Sequence, residues 1–271
     1  MALRLAGKVA IVTGAGSIGP GWGNGKATAV AFAREGAKVF CVDVNLSAAE
    51  ETANIISQEG GLALPFRADI TKNDDIEAMV KACVADFGRV DVLDNNVGIA
   101  EVGGVVELSE ESWDKVLAVN LKGAFLTTQA AMPHLRESGR GRVVMISSDA
   151  GQRGFAALAP YTASKFGLNG LMESVAAEVA GDNVTVNTLC PVGCPTTGMG
   201  QEVLAEKIRL TGDSPQDIMA RAAATNPLGR NVLETDVADA VLFLVSEHSS
   251  FITGVALDVD GGASLGAVPG V

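Results

Sequence analysis

The run Tyr161-Thr162-Ala163-Ser164-Lys165 places the one tyrosine of this chain four residues before a lysine. Residues four apart on a helix share a face, so the Lys165 ammonium can stand beside the Tyr161 phenol. An unperturbed tyrosine titrates near pH ~10, and bringing it to about 7 takes roughly 4 kcal/mol of preference for the phenolate. A unit charge ~4 Å away at an effective dielectric of about 20 supplies about that much before desolvation is subtracted. One lysine, helped by a cationic cofactor ring, would make Tyr161 an acid/base at neutral pH. Taken alone, the pair also reads as a half-buried helical tyrosine with a solvated lysine one turn later. The elements around it decide.

Short β-rich runs alternate with longer helical patterns: Val9–Val12, Lys38–Val42, Ala63–Phe66, Val90–Leu93, Arg142–Ile146, Val184–Asn187 and Val255–Asp258. Seven strands with helices between them imply a Rossmann-like, doubly wound α/β fold, a parallel sheet covered on both faces. Ser47-Ala48-Ala49-Glu50 has the form of a capping box, and Asp74 to Phe87 repeats apolar residues at helical spacing. A length of 271 residues, 48% of them hydrophobic and 32 of them glycine, suits one domain spanning 1–271. The least regular stretch, Pro195 to Pro227, carries methionines and leucines and is expected to form a mobile lid over a pocket.

A formal net charge of −12 argues against nucleic acid or an anionic membrane surface as partner. Met1 to Leu5 runs straight into Gly7-Lys8-Val9 with no cleavable signal pattern, and no apolar stretch reaches the ~18 residues of a membrane span. A cytoplasmic protein is expected. Cys41, Cys83, Cys190 and Cys194 are scattered, and the only histidines are His134 and His248. Reduced structural thiols and no metal site follow.

The first strand ends in Thr13-Gly14-Ala15-Gly16-Ser17, then Ile18-Gly19-Pro20-Gly21-Trp22, with Gly23-Asn24-Gly25 opening an alanine-rich helix. Glycines between a first strand and a first helix allow close backbone approach, and the helix start offers free N–H groups to a pyrophosphate. Asp43 ends the second strand, where a carboxylate accepts both ribose hydroxyls of NAD and repels the 2′-phosphate of NADP. Ser17 stands where an NADP site would carry an arginine. NAD(H) is therefore expected over NADP(H).

Together these motifs resemble the short-chain dehydrogenase/reductase family over nearly the whole length. The loop Thr13 to Gly25 is similar to its Thr-Gly-x-x-x-Gly-x-Gly, Asp69-Ile70 to its adenine-contacting pair, and Asn95-Asn96-Val97-Gly98 to its Asn-Asn-Ala-Gly element. Asn120 matches the family's helix asparagine, Ser148 lies 13 residues before Tyr161 as the catalytic serine does, and Val259-Asp260-Gly261-Gly262 matches its carboxy-terminal signature. The resemblance implies that Tyr161 exchanges a proton with the substrate oxygen, while Lys165 lowers the phenol's pKa and holds the nicotinamide ribose. It implies that Ser148 bonds the carbonyl or alkoxide oxygen and Asn120 holds a water linking Lys165 to solvent. Ser147 is expected to be a strand-end backbone partner. Pro191-Val192-Gly193-Cys194-Pro195-Thr196 resembles the family's Pro-Gly segment, which would turn the Cys194 backbone and Thr196 hydroxyl toward the carboxamide.

The sequence departs from that pattern in about five extra loop residues, Ile18 to Trp22, and in Val97 and Val192, which replace an alanine and a glycine. The leading expectation is an NAD-dependent oxidoreductase interconverting a secondary alcohol and a ketone. Alternatives are a 3-oxoacyl carrier-protein reductase and a non-catalytic NAD-binding scaffold. Gln152, Arg153, Phe155, Leu158, Met199, Leu204, Ile208 and Met219 are expected around a neutral or partly hydrophobic carbonyl or alcohol substrate. Arg153 reads either as a carboxylate anchor or as a solvated loop residue. A homotetramer is implied by resemblance, with the tail Ser264 to Val271 crossing a subunit interface.

Overall fold

The computed structural model describes residues 3–19 and 21–266. Pro20 of the loop's extra residues and 267–271 of the tail lie outside the described residues. Seven strands form one fully parallel sheet in the order β3-β2-β1-β4-β5-β6-β7. They are β1 (Val9–Thr13), β2 (Lys38–Asp43), β3 (Leu62–Arg67), β4 (Val92–Asn95), β5 (Arg142–Ile146), β6 (Thr185–Pro191) and β7 (Ala256–Val259). Helices α1 (Asn24–Arg34), α2 (Leu46–Gln58), α3 (Asn73–Phe87), α4 (Glu110–Leu117) and α5 (Gly123–Glu137) connect the first five strands. Then come α6 (Ala159–Val179), α7 (Gly198–Thr211), α8 (Pro215–Ala224) and α9 (Glu234–Val245).

The central strands are buried on both faces, which is why β1 and most of β5 read as continuous apolar runs. One core unites Val12, Val92, Val144 and Leu189 with Phe32 of α1, Ile56 of α2 and Val241 of α9. The other unites Ile11, Leu93 and Met145 with Ile76 of α3, Leu135 of α5 and Leu168 of α6. The expected Rossmann-like, doubly wound sheet is thus the observed one.

Several boundaries differ from expectation. β4 begins two residues later than Val90, and Asp91 spends its buried carboxylate on the Val9 amide at 2.9 Å and the Arg89 guanidinium at 2.7 Å. The capping box at Ser47 does not form. Asn45 caps α2 instead, its Oδ1 accepting both the Ser47 amide at 3.2 Å and the Ser47 hydroxyl at 2.8 Å. The stretch expected to be irregular between Pro195 and Pro227 contains α7 and α8. Thr197 and Ser214 cap them through the Gly200 and Asp217 amides, each at 3.1 Å, and Pro215 occupies a first helical position. No helix among the described residues is long and apolar enough to cross a membrane. All four cysteines are free and buried, and burial pushes the Cys41 and Cys83 thiols up to about 12.

Buried polar residues also stand in the strands, among them Arg142, Asn187 and Thr188, and one of them is a carboxylate. Asp94 sits in β4 between Val12 and Val144, fully buried, and neither carboxyl oxygen has a hydrogen-bond partner. Burial raises its pKa to about 8. A carboxyl group whose pKa rises on folding binds a proton that the unfolded chain releases above ~4, so stability falls as pH climbs from there toward 8. Asp94→Val should therefore be more stable than wild type at pH 8 by about 2 kcal/mol or more. Urea denaturation at pH 8 and near ~4.5 checks it. The advantage should shrink at the lower pH, and a gap that is absent or independent of pH would refute the assignment.

Candidate active site

Sheet order reverses between β1 and β4: the chain winds outward from β1 to β3, then crosses back to β4 on the other side of β1. Ligands of open α/β sheets bind at such a switch, outside the carboxyl ends of the strands. Gly14 follows β1 with φ of +67°, and a Cβ there would press on Val97 Cγ2 at 3.1 Å. A Cβ on Gly16 would lie 2.5 Å from Ala48 Cβ and 2.7 Å from Asp43 Oδ2, and one on Gly25 would strike the Gly14 carbonyl. Backbone therefore lies against backbone where the loop turns into α1.

The cradle carries polar groups without protein partners. Ser17 Oγ and Asn24 Oδ1 are buried and unbonded. Gly23, at the amino end of α1, sits against the Gly16 carbonyl and close to Ser17 Oγ. Asp43 accepts the Gly16 amide on Oδ2 at 3.0 Å and the Asn45 amide on Oδ1 at 2.9 Å, which leaves each oxygen further acceptor capacity. A narrow glycine cradle, a free helix N-terminus, orphaned polar atoms and a strand-end carboxylate fit a dinucleotide.

Across the switch point, Lys165 is 2% exposed and donates from Nζ to the Ile146 carbonyl at the end of β5, 2.6 Å away. Burial pulls its pKa down to about 8, against the opposing pull of Cys190. Nζ lies 5.6 Å from the centroid of the Tyr161 ring, over the ring rather than on the phenol oxygen. A Cβ at Gly98 would come within 3.3 Å of that nitrogen. Tyr161 itself is half-buried. Desolvation pushes its phenol up to about 12; the neighbouring Ser148 hydroxyl, wherever it donates to the phenolate, opposes this, while Asp149 and Cys190 add to it. The expectation that Lys165 acidifies the phenol is thus not met by the protein groups alone, because burial outweighs every favourable contact.

Asn120 lies in a π-helical turn, Ala118–Lys122, that joins α4 to α5. Its Oδ1 accepts the Ile99 amide at 2.8 Å, while Nδ2 donates to the Ile99 carbonyl at 2.9 Å and to Ser164 Oγ at 3.0 Å. Both amide protons are spent, so a water could be held only through the remaining lone pairs. Single π turns recur at functional sites because they re-aim one side chain. Ser148 follows β5, accepts the Ala150 amide at 3.2 Å and donates to Asp149 Oδ1 at 2.9 Å. Ser147 donates to the Lys165 carbonyl at 3.2 Å and gives its amide to Leu189, the backbone role expected for it.

The remaining expected residues divide. Asp69 Oδ1 accepts the amide and hydroxyl of Thr71, bonds that with Lys72 hold the carboxyl below its usual range despite desolvation. Ile70 is buried against Gly123, and Pro191 ends β6. Asn95 points elsewhere: its amide bonds Thr128 at 2.9 Å and Thr127 at 2.5 Å, tying β4 to α5. Thr196 donates to Glu234 of α9 at 2.8 Å, and Cys194 Sγ lies 3.2 Å from that same hydroxyl.

Sequence reasoning passed over Asn96, whose Nδ2 holds the Gly14 carbonyl at 3.2 Å across the switch point. It also passed over Lys26, 1% exposed, which bonds the Gly21 carbonyl at 3.0 Å and Glu51 at 2.9 Å and so ties down the extended loop. A lysine one residue after the last loop glycine was the available signal. Arg153 is ion-paired with Asp149 at 3.2 Å and stacked on the Phe155 ring. Among the described residues, no group of three or more His, Cys, Asp or Glu side chains is placed to hold a metal ion.

A family model described as Enoyl-(Acyl carrier protein) reductase matches residues 19–264. The chain is 38% identical to 2-(S)-hydroxypropyl-CoM dehydrogenase 3 of Xanthobacter autotrophicus, over 97% of this chain and 98% of that one. It is 36% identical to a 3-oxoacyl-(acyl-carrier-protein) reductase of Thermotoga maritima, over 96% and 99%. Levodione reductase, a solved structure, superposes with a TM-score of 0.90 at 30% identity, covering 97% of this chain and all of its own. With matches this long on a sheet of this topology, the chain belongs to the short-chain dehydrogenase/reductase family.

Proposed function

We propose that this chain is an NAD-dependent oxidoreductase that interconverts a secondary alcohol and a ketone, with Tyr161 as its acid/base. The observation that supports it most is the convergence of Asn120, Ser148, Tyr161 and Lys165 at the carboxyl ends of β4 and β5, beside the glycine cradle. Gly14, Gly16, Ser17, Gly23, Asn24, Gly25 and Asp43 would hold the dinucleotide, which when bound supplies the hydride acceptor or donor.

With its phenol raised to about 12, Tyr161 is protonated at neutral pH and is ready to give its proton to a ketone oxygen. Ser148, beside the phenol, offers its hydroxyl to the same oxygen. Lys165 holds a proton close to its own midpoint of about 8, which suits it to pass protons toward Tyr161. Asn120 fixes Ile99 and Ser164 on either side of that route. Met199 at the start of α7 reaches Gly98, so an apolar lid over residues 195–227 would cover a neutral carbonyl compound. A 3-oxoacyl carrier-protein reductase, the activity named for the Thermotoga relative, is the second reading; Asp43 and the −12 charge weigh against NADPH and an acidic carrier.

A homotetramer is part of this proposal. Phe125 and Phe166 are exposed, and a groove of about 760 Å³ lined by Leu117, Leu121, Phe125 and Leu171 runs along α4, α5 and α6. Phe251, near the start of β7, is fully exposed as well. Gel filtration should give a four-chain particle, and a monomer would reject it.

Tyr161→Phe should lower ketone reduction by NADH at least ~100-fold while NADH fluorescence still reports binding. Near-normal turnover would sink the acid/base assignment. In wild type, reduction should fail and alcohol oxidation improve as pH rises through the alkaline range, since one direction needs the phenol and the other the phenolate. Asp43→Ala should shift the NADH:NADPH ratio of kcat/KM toward NADPH by about tenfold, close to 1.4 kcal/mol of lost discrimination. An unchanged ratio would contradict the cofactor preference.

A further inference from the structure

Asp149 has no part in the scheme above, yet it is the residue to which Ser148 gives its proton. Its Oδ1 accepts the Ser148 hydroxyl at 2.9 Å, and its Oδ2 accepts Arg153 Nη2 at 3.2 Å. The Asp149 side chain is 18% exposed and Arg153 46%, so the bond to serine is the more sheltered of the two. A hydroxyl has one proton and two acceptor positions. Ser148 commits the proton to Asp149 and one acceptor position to the Ala150 amide. What it presents to the crevice is therefore a lone pair, whereas a carbonyl or oxyanion needs a donor.

We propose that Asp149 is a positioning residue that competes with the reacting oxygen for the Ser148 proton, and that Arg153 sets how strongly it competes. The proposal rests on the reading of Ser148 and Tyr161 as the oxygen-binding pair. With Arg153 in place, part of the carboxylate charge is answered and Ser148 turns toward a substrate oxygen or phenolate more readily. Without Arg153 the carboxylate holds the proton harder. The same charge reaches Tyr161 directly, since Asp149 is one of the groups raising its pKa. The phenol is faced by Ser148 and Asp149 from the end of β5, by Cys190 from β6, and by Lys165 from the next turn of α6. Of these, Asp149 alone is tied to a surface arginine.

The test compares wild type, Asp149→Asn, Arg153→Gln and the double variant. The first readout is the alkaline midpoint of kcat/KM for ketone reduction, taken with the best ketone of an NADH panel. The second is tyrosinate absorbance, which needs no turnover because Tyr161 is the only tyrosine, with circular dichroism marking the range in which each protein stays folded. Asp149→Asn should move the midpoint down by about half a pH unit or more, and Arg153→Gln should move it up. The double variant should stay on the Asp149→Asn side of wild type. Unmoved midpoints, or shifts of the same sign in both single variants, would overturn the proposal. Arg153→Gln changes an exposed side chain, so it decides the matter even where Asp149→Asn folds poorly. An active Tyr161→Phe enzyme would fail the underlying reading instead, and the absorbance midpoints would still stand.

Discussion

The site is organised around one buried ammonium. Lys165 carries its charge at 2% exposure with the Ile146 carbonyl as its hydrogen-bond partner, and an ammonium taken from water costs several kcal/mol unless paired. The pull of its pKa down to about 8 expresses that cost. Keeping the group there requires small neighbours. Gly98 leaves room beside Nζ, and Gly151 lets α6 close on the end of β5, since a Cβ on it would lie 2.9 Å from the Lys165 carbonyl. Asn120 then clamps Ile99, next to Gly98, by both of its backbone groups.

Burial acts on Tyr161 and Lys165 in opposite directions along the pH axis and toward the same end. It raises the phenol to about 12 and lowers the ammonium to about 8, so both groups are pressed toward their neutral forms. An isolated helix turn with the same two residues would show neither shift. The attraction between the charges, which spacing alone brings out, is the smaller effect here, and desolvation is the larger. Polar contacts from Ser148 moderate it without reversing it.

The fold was legible because its central strands are buried on both faces and its helices are not, so apolar runs and helical periodicity alternate along the chain. That Tyr161, Lys165, Ser148 and Asn120 would lie close together was legible because motif spacing survives folding. Orientation was not. Asn95 and Asn96 are adjacent and of one type, yet Asn95, the last residue of β4, turns to Thr127 and Thr128 on α5 and Asn96, just past the strand, turns to the Gly14 carbonyl. The cap of α2 was misplaced because Asn45, Ser47 and their neighbours offer competing hydroxyl and amide acceptors, and only the chain's exit from β2 chooses among them. Helices α7 and α8 were obscured by glycine, proline and threonine, which are breakers inside a helix and good starting residues at its end.

The extra loop residues take on a physical role once two contacts are set together. Lys26 reaches back from α1 to the Gly21 carbonyl and outward to Glu51 on α2, so the far end of the insertion is held by a buried charge. At its near end the Ile18 carbonyl and side chain lie against Gly198, the first residue of α7, where a Cβ would sit 2.7 Å from Ile18 Cβ. The next residue, Met199, extends to Gly98 beside the Lys165 ammonium. The insertion therefore bridges the glycine cradle and the helix above the crevice. A shift of Ile18 must displace Gly198, because the contact is made by the Ile18 carbonyl and Cβ rather than by the flexible end of its side chain, and Met199 would follow toward or away from the buried lysine. The loop departs from the family's shorter pattern at the place where the cradle and α7 are in contact.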